Sequence, residues 1–221
     1  MTPPRIRVLI VDDDDLMRAG LRGVLASDDG IELVGEANDG REAAYRVRLL
    51  EPDVVLMDVR MPDLDGISAT RELLAAFPEV KVVILTTFEQ DDYIFGALSA
   101  GASGFLLKRT RPEELVAAVH TIAAGDSLLS PSVTSRVIER MAEQPAPDAT
   151  RDARLDDLTP REREVLEQMA RGLSNTEIAE ALVIEESTVK THVKRVIAKL
   201  DVRDRVQAVI FAYEAGLAQR R

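Results

Sequence analysis

Within the first 124 residues, five short apolar runs alternate with five amphipathic runs of about three turns, and that alternation leaves few folds open. The apolar runs are Arg5–Val11, Ile31–Glu36, Val54–Met57, Lys81–Leu85 and Gly104–Leu107, rich in Val, Ile and Leu. Between and after them, 14–26, 40–50, 65–76, 91–100 and 111–123 carry apolar residues at helical spacing, the last starting at Pro112, a favoured first-turn position. Strands without polar alternation are buried on both faces, which predicts a doubly wound, flavodoxin-like five-stranded parallel sheet covered by helices on both sides.

Such sheets place their ligands beyond the carboxyl ends of the strands, so the residues at those ends carry the argument. The first strand ends in Asp12-Asp13, the third in Asp58, the fourth in Thr86 and the fifth in Lys108. One carboxylate at a strand end is ordinarily a solvated acid, and Asp14 and Asp15 read as the cap and first turn of the next helix. Asp12, Asp13 and Asp58 brought to one edge form a hard-oxygen site suited to Mg²⁺. With Lys108 as a fixed cation and Thr86 as a hydroxyl donor, the set matches the needs of phosphoryl transfer onto Asp58: an in-line nucleophile, a metal and a second cation.

The rest of the chain changes character. A helical run over 131–143 is followed by Gln144-Pro145-Ala146-Pro147-Asp148-Ala149-Thr150, which reads as linker. Four helices are then predicted: from the capping box Thr159-Pro160-Arg161-Glu162 to a stop at Gly172, from Ser174 to Leu182, from about Glu186 to Leu200, and from Arg205 to Ala215 before Gly216. Two short helices joined by a brief turn, the second bearing cations and hydroxyls, form a helix-turn-helix. In that second helix Val189, Val193, Val196, Ile197 and Leu200 make a buried stripe, while Ser187, Lys190, Thr191, Lys194 and Arg195 face away, as a groove-facing helix requires. The expected division is residues 5–124, a linker with one helix over 125–157, and an all-α four-helix domain over 158–217.

Charge is uneven. Residues 1–140 carry 15 basic against 24 acidic side chains and residues 159–221 carry 11 against 10, so the overall −11 does not argue against nucleic acid at the C-terminal end. There are no cysteines, no run approaches the roughly 20 apolar residues of a membrane helix, and the start of the chain lacks a signal-peptide pattern. A cytoplasmic location without membrane contact is expected.

The motifs Val11-Asp12-Asp13, Met57-Asp58-Val59-Arg60-Met61-Pro62, Leu85-Thr86-Thr87 and Gly101-Ala102-Ser103-Gly104-Phe105-Leu106-Leu107-Lys108 resemble a two-component receiver domain. Leu158-Thr159-Pro160-Arg161-Glu162, Gly172-Leu173-Ser174-Asn175 and Thr188-Val189-Lys190-Thr191-His192 resemble a LuxR-type DNA-binding domain. Together they are similar to the NarL/FixJ family of response regulators. That resemblance implies phosphorylation of Asp58 by a sensor histidine kinase, slow autodephosphorylation, and Mg²⁺ on Asp12, Asp13, Asp58 and the Arg60 carbonyl. It also implies a switch pair of Thr86 and Phe105, and phosphorylation-promoted homodimers on promoter DNA. Lys190, Thr191 and Lys194 correspond to base-edge readers, and Ser187, Thr188, His192, Arg195 and Lys199 to backbone contacts. Val206, Val209, Ile210 and Tyr213 of the last helix form a stripe expected to be exposed and to pair two DNA-binding domains.

Three departures stand out: Arg109 where many receivers have proline, Val183 in place of the turn glycine, and Glu185 in place of a Ser cap. Valine tolerates left-handed dihedrals poorly, so the turn is expected to avoid them; Glu185, a weaker cap than Ser with its charge on the DNA side, is expected to lower non-specific DNA affinity. Two alternatives stay open: a phosphorylation-independent regulator of the same build, and an aspartyl-phosphate hydrolase, although the latter usually carries a second acid where Arg60 stands.

Overall fold

All five residues of the strand Val54–Asp58 (β3) are buried, and the rest of the N-terminal unit is arranged around that strand. The computed structural model describes residues 4–87, 91–124 and 153–217, with only the backbone of Asp91 and Asp92. The helix expected over 131–143 and the linker segment after it lie outside the described residues. The chain divides into two compact units, Met1–Ser130 and Pro131–Arg221.

In the first unit β1 (Ile6–Val11), β2 (Ile31–Ala37), β3, β4 (Lys81–Thr86) and β5 (Gly104–Leu107) form one sheet in the order β2-β1-β3-β4-β5. Every pairing is parallel, as the unbroken apolar runs predict. The helices are α1 (Asp15–Leu25), α2 (Gly40–Leu50), α3 (Gly66–Ala76), α4 (Asp91–Ser99) and α5 (Pro112–Ala123). Val8, Ile10, Leu56, Val83, Leu85 and Leu106 pack against Leu21 and Leu25 of α1 and Leu115, Val119 and Ile122 of α5. The alternate residues Leu9, Met57, Ile84 and Phe105 therefore point to the opposite face. Asp14, Asp39 and Asp65 cap α1, α2 and α3 with their carboxylates.

One irregularity was not expected. Register between β1 and β2 slips after Val8, which pairs with Leu33, whereas Leu9 pairs with Gly35. Val34 is an extra residue, a β-bulge. It re-phases the strand, so that Glu36 pairs with Ile10 and faces α1 instead of the other side of the sheet.

The second unit holds a 3₁₀ turn (Ala153–Leu155) and helices α6 (Pro160–Ala170), α7 (Asn175–Leu182), α8 (Glu186–Leu200) and α9 (Arg205–Glu214). Val165, Leu166, Met169, Ile178, Val189, Val193, Val196, Leu200, Val209 and Phe211 make its core. Leu155 joins them, so the packing begins before Leu158. Thr159 with Glu162 and Ser174 with Glu177 form complete capping boxes, whereas Glu185 caps α8 without a side-chain hydrogen bond. Among the described residues no helix is long and apolar enough to cross a membrane.

Two expectations are overturned here. Val183 does adopt the left-handed conformation, at φ 54° and ψ 53°. The reason lies in the closing bonds: Ile184 N–H reaches the Ala179 carbonyl at 3.0 Å and Val183 N–H the Glu180 carbonyl at 3.3 Å. Those paired bonds satisfy the carbonyls at the end of α7 and require a left-handed residue, whatever its side chain. The stripe on α9 is not exposed either: Val206 and Val209 are buried, Ile210 and Tyr213 are half-buried. The helix is apolar on most sides and sinks Val209, Phe211 and Ala212 into the core, while the Tyr213 hydroxyl donates to the Ala170 carbonyl at 2.8 Å.

Val183 is 88% exposed, so replacing it by glycine removes few contacts and relieves left-handed strain of about 1–2 kcal/mol, less the backbone entropy that glycine adds. Val183→Gly should stabilise the second unit by about 0.5–1 kcal/mol in urea unfolding; a lower midpoint would contradict the strain argument. Glu162 supplies a pH prediction. Burial opposes its charged form, but the Lys199 ammonium, the Thr159 amide and the Thr159 hydroxyl outweigh burial and hold the carboxyl down at about 2. A depressed carboxylate contributes stability above its unfolded pKa of about 4.3 and loses it as pH falls through the folded value. Glu162→Gln should therefore flatten the loss of stability between about pH 4.5 and 2, by on the order of 2 kcal/mol, and a parallel acid curve would count against this pair.

Candidate functional site

The sheet order reverses between β1 and β3, the point at which open α/β sheets form a crevice. Asp12 leaves β1 there, fully buried; Asp58 ends β3, 5% exposed; Asp13 is exposed. One carboxylate oxygen from each lies within 4.8 Å of the others, the only such cluster of three potential metal ligands among the described residues. Lys108 follows β5, its amide held by the Thr86 carbonyl at 2.8 Å. Its ammonium stands 2.7 Å from Asp12 Oδ2 and 3.0 Å from Asp58 Oδ2. The second oxygen of Asp58 accepts the Val59 N–H at 2.8 Å, and Asp12 Oδ1 accepts the Asp14 N–H at 3.0 Å.

Burial raises the Asp58 carboxyl above the usual carboxylate range, and the Asp12 charge adds to this; Lys108 and the Val59 amide pull the other way without cancelling it. Lys108 is desolvated too, but the two carboxylates outweigh that and raise its pKa. Three carboxylates gathered around one ammonium, which pairs with Asp12 and Asp58, leave an excess of negative charge at hard oxygen donors. A small divalent cation fits that donor set. Beside it, Asp13, Val59, Arg60, Met61, Pro62, Asp65 and Tyr93 line an open cleft of about 460 Å³. The Arg60 guanidinium lies across the Tyr93 ring, 5.3 Å from its centroid, and donates to its hydroxyl at 2.9 Å.

Thr86 and Phe105 share one face of neighbouring strands. Ile84 pairs with Phe105 and Thr86 follows two residues on, so both point away from α1 and α5. Thr86 is 3% exposed and Phe105 1%, so the ring already occupies the interior in this conformation.

The expected DNA-facing residues of α8 separate by environment. Val189, Val193, Val196 and Leu200 are buried and Ile197 packs partly against them. Ser187, Thr188, Lys190, Thr191, Lys194 and Arg195 are exposed, and His192 is half-buried. Glu186 receives the Lys190 ammonium at 2.8 Å and the Thr176 hydroxyl at 3.2 Å. Lys199 is exposed, but its ammonium meets the buried Glu162 at 2.7 Å and the Asp157 carbonyl at 3.0 Å, so in this conformation it is paired within the domain.

Two residues near the acidic site escaped the sequence reading. Gly66 opens α3 with its N–H on the Val59 carbonyl at 2.9 Å, and a Cβ there would lie 1.8 Å from the Asp58 carbonyl oxygen. Its place after Asp65, a cap, was the available signal. Arg18 of α1 donates to the Asp12 carbonyl at 2.6 Å; in sequence it is one more polar residue on an amphipathic helix.

Residues 8–120 match the family described as "Response regulator receiver domain", and residues 156–212 match "Bacterial regulatory proteins, luxR family". The transcriptional regulatory protein YxjL of Bacillus subtilis, whose role is described as uncharacterized, is 42% identical over 99% of this chain and 100% of its own. The response regulator protein VraR of Staphylococcus aureus is 40% identical over 97% of this chain and 99% of its own. Among solved structures, the response regulator ChrA of a heme-sensing two-component system is 37% identical, covers 97% of this chain and 99% of its own, and superposes with a TM-score of 0.53.

The contact at Gly66 carries a test. Gly66→Ala forces the acceptor strand end or α3 to move, and should cost about 2–3 kcal/mol or more of stability in urea unfolding of the full chain. An unchanged midpoint would show that the approach of α3 to Asp58 is looser than described.

Proposed function

The chain belongs to the response regulators that join a receiver domain to a LuxR-type DNA-binding domain and regulate transcription, and from that premise we propose that Asp58 is its phospho-acceptor. The observation that carries the reading is the buried Asp58 carboxylate held against Lys108 beside Asp12 and Asp13 at the mouth of an open cleft. A sensor histidine kinase is the donor. An Asp58 oxygen attacks phosphorus in line, the bond from phosphorus to the donor nitrogen breaks, and the donor leaves with that electron pair. Lys108 shifts from the carboxylate pair to a phosphoryl oxygen and offsets its charge. Asp12, Asp13, Asp58 and the Arg60 carbonyl hold Mg²⁺, which when bound supplies further positive charge to the transferring group.

Thr86 then reads the modification. Its hydroxyl turns to the phosphoryl oxygens, and the space beside it is filled by Phe105, which shares its face of the sheet. Burial of the ring here supports an inward position as accessible to this sequence. Homodimers form on phosphorylation and bind promoter DNA, with Lys190, Thr191 and Lys194 at base edges and Ser187, Thr188, His192 and Arg195 on the backbone. Lys199 is paired with Glu162 in this conformation, and of the α9 stripe only Ile210 and Tyr213 keep the partial exposure that a dimer surface needs. Location is cytoplasmic, and loss of phosphate from Asp58 is slow autodephosphorylation. Arg60 two residues after Asp58 disfavours the hydrolase alternative.

Asp58→Asn should abolish labelling by radioactive acetyl phosphate with Mg²⁺ and leave DNA binding insensitive to beryllofluoride, whereas the unmodified chain gains affinity with beryllofluoride in gel-shift titrations. Labelling that survives the substitution would remove Asp58 as acceptor; equal DNA affinity of the unmodified chain with and without beryllofluoride would favour the phosphorylation-independent regulator.

A further inference from the structure

Arg18 lies one turn into α1 with its side chain only 15% exposed, deep for an arginine on an otherwise solvated helix face. Nη1 donates to the Asp12 carbonyl at 2.6 Å, Nε donates to Glu36 Oε2 at 3.3 Å, and Nη2 pairs with Asp15. Glu36 is itself anchored, because its other oxygen accepts from Arg22 at 2.7 Å. The two arginines hold the Glu36 carboxyl below its ordinary range, Arg22 more than Arg18 and against the effect of burial. Glu36 reaches α1 only because the bulge at Val34 turns it to that face of the sheet.

The carbonyl that Arg18 grips belongs to the peptide joining Asp12 to Asp13. The Asp12 N–H is fixed to the Ala37 carbonyl at 3.2 Å and the Asp12 carboxylate to the Asp14 N–H at 3.0 Å. With Arg18 on the carbonyl, the orientation of that peptide plane is set from β2 and α1 together, and with it the direction in which Asp13 projects. We propose that Arg18 is a positioning residue of the cation site: it touches no donor oxygen of the site and no reacting atom, but aims the Asp12–Asp13 pair at the point where Asp58 meets them. This inference rests on the reading of Asp12, Asp13 and Asp58 as a Mg²⁺ site.

Electrostatics and positioning predict opposite signs here. A guanidinium close to a cation site repels the cation, so neutralising it should tighten Mg²⁺ binding on charge grounds. Loss of an outer-shell hydrogen bond that orients ligands typically weakens metal binding about 10- to 100-fold. The sign of the change therefore separates the two roles.

The test is calorimetric titration of MgCl₂ into the full chain, with no phosphoryl donor present, alongside thermal unfolding without Mg²⁺. Arg18→Gln should raise the Mg²⁺ Kd about tenfold although a positive charge has been removed. Arg18→Lys, which keeps one donor and the charge, should stay within about threefold of the unsubstituted chain. Glu36→Gln leaves Arg18 in place but removes one of the three groups that hold its guanidinium, and should weaken Mg²⁺ by a smaller factor in the same direction. Tighter or unchanged binding by Arg18→Gln would overturn the proposal, and a lower melting temperature with unchanged Kd would make Arg18 structural only. If Arg18→Gln does not fold, Arg18→Met, which also removes the charge and the donors, is titrated under the same criterion. Absence of Mg²⁺ binding by the unsubstituted chain would instead overturn the metal site itself, and the positioning role with it.

Discussion

The Lys108 ammonium between the Asp12 and Asp58 carboxylates is the interaction on which the first unit depends. Two carboxylates nearly without solvent access repel each other and lose hydration, a penalty that neither hydrogen bonds nor packing offsets alone. One cation within 3.0 Å of both makes their burial tolerable. Bringing it there takes the whole topology. Asp12 leaves β1, Asp58 ends the neighbouring β3, and Lys108 follows β5, two strands further on. A parallel sheet is the arrangement that delivers all three strand ends to one edge. Fold and chemistry are thus one constraint, met by strands that can be apolar throughout because their charged residues wait at the tips.

That coupling explains what could be read in advance. Unbroken apolar strands specify a sheet covered on both sides, and residues such as Asp14, Thr159, Ser174 and Gly172 mark helix ends through local chemistry that needs no tertiary information. Asp58 and Lys108 were legible because strand ends are countable. The bulge at Val34 was not, since nothing in Leu33-Val34-Gly35-Glu36 announces which residue is extra; only the pairing with β1 decides it. Arg18 depends on that bulge and was hidden with it.

In the second unit the misreadings share a cause: local preference was weighed without the bonds that override it. Val183 is left-handed because two backbone hydrogen bonds at the end of α7 outrank the discomfort of a branched side chain. The α9 stripe looked too wide for one small domain, yet α6 and α8 cover more of it than a count of apolar residues suggests, and Tyr213 is fastened by its hydroxyl. Lys199 was counted among the DNA backbone contacts by resemblance alone. A buried glutamate across the core, Glu162, claimed it, because an unpaired buried carboxylate is costlier than an unbound phosphate contact.

The consequence for DNA binding follows from charge. With Lys199 and Lys190 paired to Glu162 and Glu186, and Glu185 and Glu186 at the start of α8, the positive charge of the recognition helix is partly offset, and Lys194 and Arg195 carry most of what faces outward. Phosphate neutralisation supplies most of the sequence-independent affinity of DNA-binding proteins, so on the proposed function a single unit of this kind is expected to bind DNA weakly. Weakness in the single unit is what gives a dimerisation switch its contrast. When two units are linked, the second binding event becomes intramolecular, and the gain from pairing is large only if neither unit holds DNA well alone. On the proposed function, the sparing basicity of this domain and the phosphoryl site of the other belong to the same design: the message at Asp58 matters because the reader of DNA is inadequate by itself.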